Sequence, residues 1–241
     1  MPAGPSLSVV IPAYNEEASI EQCVTTLETV LKGITTDFEV IVVDDGSQDR
    51  TAAILEELSR TRPHLVAIHH ERNRGLGAGL RSGFAQCHKA LTFYSDADLP
   101  FDFAELVRAI RVMDFKSADV IAGFRHDRTD EGLRRILYSF AYNWLIRILF
   151  GLKIRDVNFS FKLLRTDRLR AMDLRSEGSF IDAEMMVYAD RLGLFICQMG
   201  VDYFKRRHGN SHLSSVGTIV KIVKELVRDY PRLRRVRPLS S

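Results

Sequence analysis

Asp96 and Asp98 stand one residue apart in "FYSDADLPFDF", directly after a short apolar run and just ahead of Pro100. Two carboxylates at i and i+2 share one face of a strand, and just past its end they converge on a point. A hard divalent cation relieves their repulsion, because it prefers oxygen ligands and leaves room for phosphate oxygens. The pair therefore reads as a site for Mg²⁺ or Mn²⁺ carrying a diphosphate. Taken alone it reads equally well as a helix cap, Asp96, beside a solvated turn residue, Asp98. A second acidic pair, Asp44 and Asp45, closes the apolar run "FEVIVV". There a carboxylate can accept hydrogen bonds from a nucleobase N–H or a ribose hydroxyl. Gly46 permits the sharp turn that follows, and Ser47 or Asp49 can equally cap the next helix.

The elements that must position these acids are legible as well. Leu7 to Ile11, Phe38 to Val43, Val66 to His69 and Leu91 to Tyr94 are short β-branched and aromatic runs bounded by turn-formers, and read as strands. Between them, Ile20, Val24, Leu27, Val30 and Leu31, then Ile54, Leu55 and Leu58, recur at helical spacing. Alternating strand and helix predicts a mostly parallel sheet covered on both faces, with ligands beyond the carboxyl ends of the strands. The polar segments "PAYNEE", "DDGSQDRT", "ERNRGLGAG" and "SDADLP" each follow a strand, so the four share one site. The glycines Gly75, Gly77, Gly79 and Gly83 allow close backbone approach, but they follow the third strand and lack the G-x-G-x-x-G register, which excludes a dinucleotide fold. His69 and His70 end the third strand and read as structural. Further on, "FAELVRAIRVMD" reads as a helix, Asp119 to Gly123 as a strand and Ile136 to Phe150 as an amphipathic helix. "DVNFSFKLLR", "FIDAEMMVYADRLG" and "FICQMGVDYFKRRHGNSH" read as strand, helix and strand, and Val216 to Tyr230 as a basic helix.

At 241 residues, with 46% hydrophobic and 27% charged residues, the chain has the composition of an ordinary globular protein. The net charge of +3 is unevenly divided: the first hundred residues hold 8 Lys and Arg against 14 Asp and Glu, a net −6, which leaves +9 for the remainder. Such a basic half suits nucleic acid, anionic lipid or a phosphorylated substrate, and charge alone does not choose. The opening residues have no basic n-region and no long apolar core, which predicts no signal peptide and a cytoplasmic location. The apolar part of Ile136–Phe150 contains Asn143 and Arg147 and falls short of the roughly 20 residues that span a bilayer. Cys23, Cys87 and Cys197 are far apart and read as buried free thiols.

"SVVIPAYNEE", "VIVVDDGSQDRT", "NRGLGAGLRSGF", "YSDADLP" and "GFR", in this order, resemble the family 2 glycosyltransferases of GT-A fold. With "DVNFSFKLLR" and "RRHGNS" the chain is most similar to the dolichyl- or polyprenyl-phosphate sugar synthases. The resemblance covers residues 7 to 212. It implies an α/β GT-A domain over residues 1–215, with a nucleotide-sugar half, 1–100, and an acceptor half, 101–215, followed by a basic helix and tail, 216–241. It also implies a nucleotide-diphosphate-sugar donor of the GDP-mannose or UDP-glucose type. Pro12, Tyr14, Glu16 and Asp45 match positions that hold base and ribose; Gly75, Asp96 and Ala97 belong to the same donor set. Asp96 and Asp98 match the metal-diphosphate motif. The family's motif commonly continues to a Gln that helps ligate the metal; here Pro100 stands in its place, leaving water or Asp102 to complete the shell.

The resemblance also implies an acceptor. A lipid phosphate is already anionic, so it can attack the sugar C1 without a strong base, and the enzyme needs cations more than bases. Arg125, Lys162 and Arg206 match family positions near the phosphates and, with Asp98, form the implied catalytic set; Arg134, Arg135 and Arg207 stand behind them. His212 occupies a position where the family often has Lys. With an alcohol acceptor, Asp182 or Glu184 is the reserve general base. Trp144, Tyr138 and Tyr142 beside Arg134, Arg135 and Arg147 would suit a helix lying in the headgroup layer, giving peripheral membrane association. The opposing expectation is a core helix there, with the C-terminal helix mediating a homodimer. Two further readings stay open: a family 2 transferase with a hydroxyl acceptor, and a non-catalytic nucleotide-sugar-binding subunit. Nucleic acid, suggested by charge alone, is not expected as a partner.

Overall fold

The computed structural model of the chain describes residues 4–126, 133–204 and 216–239, with side chains from 139 and from 221 onward in the second and third segments. Seven strands, β1 (Leu7–Ala13), β2 (Phe38–Asp44), β3 (Leu65–His69), β4 (Leu91–Tyr94), β5 (Val120–Arg125), β6 (Lys162–Arg165) and β7 (Ile196–Val201), form one sheet in the order β3-β2-β1-β4-β6-β5-β7. The four amino-terminal strands are mutually parallel where they pair. β6 is antiparallel to both β4 and β5, and β5 pairs β7 in parallel. The sheet is thus mostly parallel, with a single reversed strand at its centre.

β1, β2 and β4 are apolar along almost their whole length because both sheet faces are covered. On one face, Val9, Ile11, Val40, Val42 and Phe93 meet α1 (Ile20–Ile34), α2 (Thr51–Thr61) and α4 (Glu105–Lys116). On the other, Val10, Ile41, Val43 and Tyr94 meet α3 (Leu76–Phe84), α5 (Leu133–Phe150), α6 (Thr166–Arg170), α7 (Ile181–Arg191) and α8 (Val216–Leu233). α3 runs through the glycine-rich segment to which the sequence pattern assigns no helix. The strand expected across "DVNFSFKLLR" is confined to its last four residues, because Asp156 and Phe159 turn inward to hold other groups. α8 sends Leu226 and Leu233 into the core shared with α7, so the C-terminal helix packs as part of the same globule.

Strand direction brings the last residues of β1, β2, β3, β4, β5 and β7 to one edge, together with the first residue of β6. Asp44 lies beside His69 and Tyr94 beside Lys162 in this register.

Candidate active site

The loops after β1 and β2 are laced together. The backbone N–H groups of Asn15, Glu16 and Glu17 donate to Ser47 Oγ (2.9 Å), Thr51 Oγ1 (2.9 Å) and Asp49 Oδ2 (3.1 Å), and Gln48 N–H donates back to Asn15 Oδ1 (2.8 Å). Asn15 takes a left-handed conformation, φ 56°, which an Asn side chain tolerates. Gly46, at φ 72°, passes so close to the backbone of Arg72 and Asn73 that a Cβ would collide with it.

These loops and the segment after β3 enclose a cavity of about 470 Å³, lined by Tyr14, Asp44, Glu56, His69, His70 and Arg72 among others. Asp44 accepts from Ser47 N–H (3.0 Å) and lies 3.1 Å from His69 Nδ1. Asp45 is engaged differently. Its carboxylate accepts from the N–H groups of Arg74 (2.9 Å) and Gly75 (2.7 Å) and lies 2.6 Å from His70 Nδ1, while His70 Nε2 is 2.9 Å from Ser82 Oγ. Asp45 therefore organises the loop that walls the cavity, and Asp44 with His69 faces into it. Sequence reasoning offers Asp44 with Asp45 as an acceptor for base or ribose, but reads His69 and His70 as structural. The available signal was the register of two parallel strands ending "DD" and "HH", which sets each acid beside an imidazole.

Asp96 and Asp98 lie on the loop after β4, both half-buried, with Ala97 between them in the core beneath. Leu99 is held at φ 54°, an uncommon conformation for a branched residue and a local strain at the end of this loop. Burial, then the charges of Asp98, Glu16 and Asp96 in that order, push the Cys23 thiol far above its ordinary range. The two aspartates offer hard oxygen ligands in a field of negative charge, which fits a divalent cation. Among the described residues no cluster of three or more His, Cys, Asp or Glu side chains could hold an ion. Asp102 turns its Oδ1 to the N–H of Ala104 (2.9 Å), at the start of α4. Pro100 is buried, and its carbonyl accepts from Phe204 N–H (2.8 Å).

An aromatic wall of Phe101, Phe159 and Tyr203 connects this loop to Arg125. The Arg125 guanidinium pairs with the buried Asp156 through Nε (2.7 Å) and Nη2 (3.1 Å) and lies over the rings of Phe159 and Tyr203. Arg125 also lines a cleft of about 400 Å³ with Arg147, Arg155, His126, Phe140 and Trp144.

Lys162 stands apart from that cleft. It is 1% exposed, and its ammonium donates to Asp182 Oδ1 (3.0 Å) and to the carbonyl of Phe159 (2.6 Å). Tyr94 donates its hydroxyl to the same Asp182 oxygen (2.6 Å), and burial, followed by the charges of Asp182 and Asp96, holds that phenol well above its ordinary pKa. Glu184, wholly buried, accepts from the N–H groups of Arg175 and Ser176 and from Arg232. Asp182 and Glu184 are therefore both enclosed and occupied. Arg206, Arg207, His208 and His212 lie outside the described residues, as do the side chains of Arg134, Arg135 and Tyr138.

Residues 8–172 match the family description "Glycosyl transferase family 2", more than half of the chain. The chain belongs to glycosyl transferase family 2. Like this chain, glucosyl-3-phosphoglycerate synthase from Mycobacterium tuberculosis carries the fold: a structure in complex with Mn²⁺, uridine-diphosphate-glucose and phosphoglyceric acid has TM-score 0.72 at 22% identity, covering 98% of this chain and 82% of that one. Among curated relatives, the glycosyltransferase AglD of Haloferax volcanii is 31% identical over 98% of the chain and 38% of its own length. The undecaprenyl-phosphate 4-deoxy-4-formamido-L-arabinose transferase of Pseudomonas fluorescens is 31% identical over 88% of the chain and 62% of its own length. This family 2 chain thus spans less than two thirds of either relative.

Proposed function

We propose that the chain is an inverting, metal-dependent glycosyltransferase that moves a hexose from a nucleotide-diphosphate sugar to a polyprenyl phosphate. One observation carries the choice of acceptor: the cleft of Arg125, Arg147 and Arg155 is rimmed by Phe140 and Trp144, which are 69% and 57% exposed. Cations beside bare aromatics suit a molecule that is anionic at one end and apolar at the other. The arabinose transferase named above, with its undecaprenyl-phosphate acceptor, supports the same choice.

On this reading the base occupies the cavity between Tyr14, Asp44 and His69, with Pro12, Glu16 and the loop held by Asp45 shaping its surroundings. Asp96 and Asp98 would hold Mg²⁺ or Mn²⁺; the mycobacterial neighbour binds Mn²⁺ with its nucleotide sugar. When bound, such an ion neutralises charge on the departing diphosphate. Arg125, fixed by Asp156 on one side and two rings on the other, orients the acceptor phosphate, with Arg147, Arg155 and Arg206 as further cations. A phosphate oxygen forms the new bond to C1 as the bond from C1 to the diphosphate oxygen breaks, and the nucleoside diphosphate leaves. No proton has to be removed. That agrees with Asp182 and Glu184 being 2% and 0% exposed and already bonded, which disfavours a hydroxyl acceptor relying on either as base. No helix among the described residues is long and apolar enough to cross a membrane. The exposed Phe140, Trp144 and Ile148 on α5 supply a face for peripheral docking at the membrane that carries the acceptor.

The test is transfer from radiolabelled GDP- and UDP-hexoses to a short polyprenyl phosphate, with the matching polyprenol as control. Lipid-linked product with the phosphate alone is expected; product with the alcohol alone, or none with any donor, rejects the proposal.

A further inference from the structure

The glycine corner at the start of α3 is covered by a second layer of protein. Gly75 has φ 96°, and a Cβ placed on it would lie 2.6 Å from the carbonyl oxygen of Glu177. A Cβ on Gly77 would strike the backbone of Ser176 and Glu177, and Ala78 N–H donates to Glu177 O (3.1 Å). The close approach that these glycines permit is therefore by the chain's own 175–178 loop.

That loop has no regular structure of its own, yet four consecutive backbone N–H groups are all taken by carboxylates. Arg175 and Ser176 donate to Glu184 of α7 (3.0 and 2.9 Å), and Glu177 and Gly178 donate to Glu225 Oε1 of α8 (3.1 and 2.9 Å). Glu184 is in turn paired with Arg232 of α8, and Arg81 of α3 donates to the carbonyl of Arg175 (3.1 Å). On the far side of the corner, Asp45 takes the N–H groups of Arg74 and Gly75. The corner is thus clamped between Asp45 and the loop. The segment it leads out of, His70 to Asn73, is one wall of the 470 Å³ cavity.

We propose that Glu225 is a positioning residue for the nucleotide site: by holding Glu177 and Gly178 it seats the 175–178 loop on the glycine corner, and through that corner it shapes the wall of the donor cavity. The inference rests on the donor reading given above. Hydrogen bonds from N–H to a carboxylate are stronger than neutral ones, and losing two of them frees the loop at one end. Both bonds use Oε1, and Oε2 has no partner among the described residues, so a glutamine can keep the contact through its amide oxygen.

The test is titration calorimetry of GDP and UDP with Mn²⁺ on the full chain, paired with amide hydrogen exchange. Glu225→Ala should weaken nucleotide binding about tenfold and speed exchange at 74–78 and 175–178, while Glu225→Gln recovers most of both. Leu226→Ala, which loosens α8 through the core instead, should lower stability and leave nucleotide affinity within about twofold. Unaltered affinity in Glu225→Ala, or an equal loss in Leu226→Ala, overturns the proposal. Should Glu225→Ala not fold, Glu225→Asp, one methylene shorter, carries the same expectation. If the wild-type chain binds neither nucleotide, it is the donor reading that fails; unchanged exchange at Arg74 and Gly75 in the variant would then overturn the coupling on its own.

Discussion

The two halves of the sheet spend charge in opposite ways. Beyond β1, β2 and β3, acids build loops: Asp44, Asp45 and Asp49 all accept from backbone N–H groups, and each fixes a turn beside the 470 Å³ cavity proposed for the donor. Beyond β5 and β6, buried cations are matched by buried acids, Arg125 by Asp156 and Lys162 by Asp182. The excess positive charge of the second half therefore resides at positions such as Arg147 and Arg155, exposed at the cleft, rather than in the deepest basic residues. The resemblance ranked Lys162 with Arg125; the cleft separates them, because Arg125 lines it and Lys162 does not. A carboxylate beside one cation is an anchor and beside another is a replacement for solvent, and the difference follows from what else can reach the pair.

The sharpest break of this comparison is Asp98→Asn. Asp96 and Asp98 differ from the loop-building acids because their proposed partner is a cation rather than an N–H, so an amide cannot stand in. Transfer should fall about a thousandfold, and Mn²⁺ should cease to strengthen nucleotide binding. In contrast, Asp49→Asn keeps an acceptor for Thr51 N–H and should lose less than about tenfold. Equal losses in the two variants, measured as labelled product per minute, would erase the distinction between metal acids and loop acids.

Lys162→Met tests the second half. With one partner of a fully enclosed pair removed, Asp182 keeps only the Tyr94 hydroxyl, and unfolding free energy should drop by about 3 to 5 kcal/mol in urea titrations. Lys162→Met with Asp182→Asn should recover part of that. If instead Lys162→Met leaves stability unchanged and abolishes transfer, the ammonium reaches substrate phosphate after all, as the resemblance implied.

Much of this was legible in the sequence, and the failures share a cause. The strand runs at Leu7, Phe38 and Leu91 stood out because buried parallel strands must be apolar on both faces, and the run from Val66 stood out by its β-branched residues. α3 did not, since three of its nine residues are glycine, a poor helix former, and their value lies in tertiary contact: a Cβ on Gly83 would press into Val10 and Val43 of the sheet. The paired acids after β4 stood out by their spacing, which left a helix cap and turn residue open as an equal reading; the resemblance gave the metal-diphosphate role its weight. The fate of Lys162, Asp182 and Glu184 could not be, because each is decided by a partner 20 or 48 residues away in the chain. Spacing reveals which groups share a strand end; only packing reveals which of them water can reach.

The smallest effect concerns the thiols that lie under the donor half. Burial, offset in part by Thr92 and Ser8, pushes Cys87 up to about 11, and burial together with the acids above it raises Cys23 further. An unfolded thiol ionises near pH ~8.5. Above that pH the unfolded chain releases a proton that the native chain retains, so the unfolded state binds fewer protons and stability falls as pH rises. For Cys87 the loss runs from about pH 8.5 to about 11, at no more than about 1.4 kcal/mol per pH unit, and Cys23 adds a like amount over the same start. Urea titrations at pH 8 and pH 9.5 should therefore differ by about 1 to 3 kcal/mol, and Cys87→Ala should flatten that slope. A wild-type slope that survives in a Cys23→Ala, Cys87→Ala double variant would overturn this assignment, because the enclosed Tyr94 phenol, ordinarily ionising near pH ~10, adds its own loss only at higher pH.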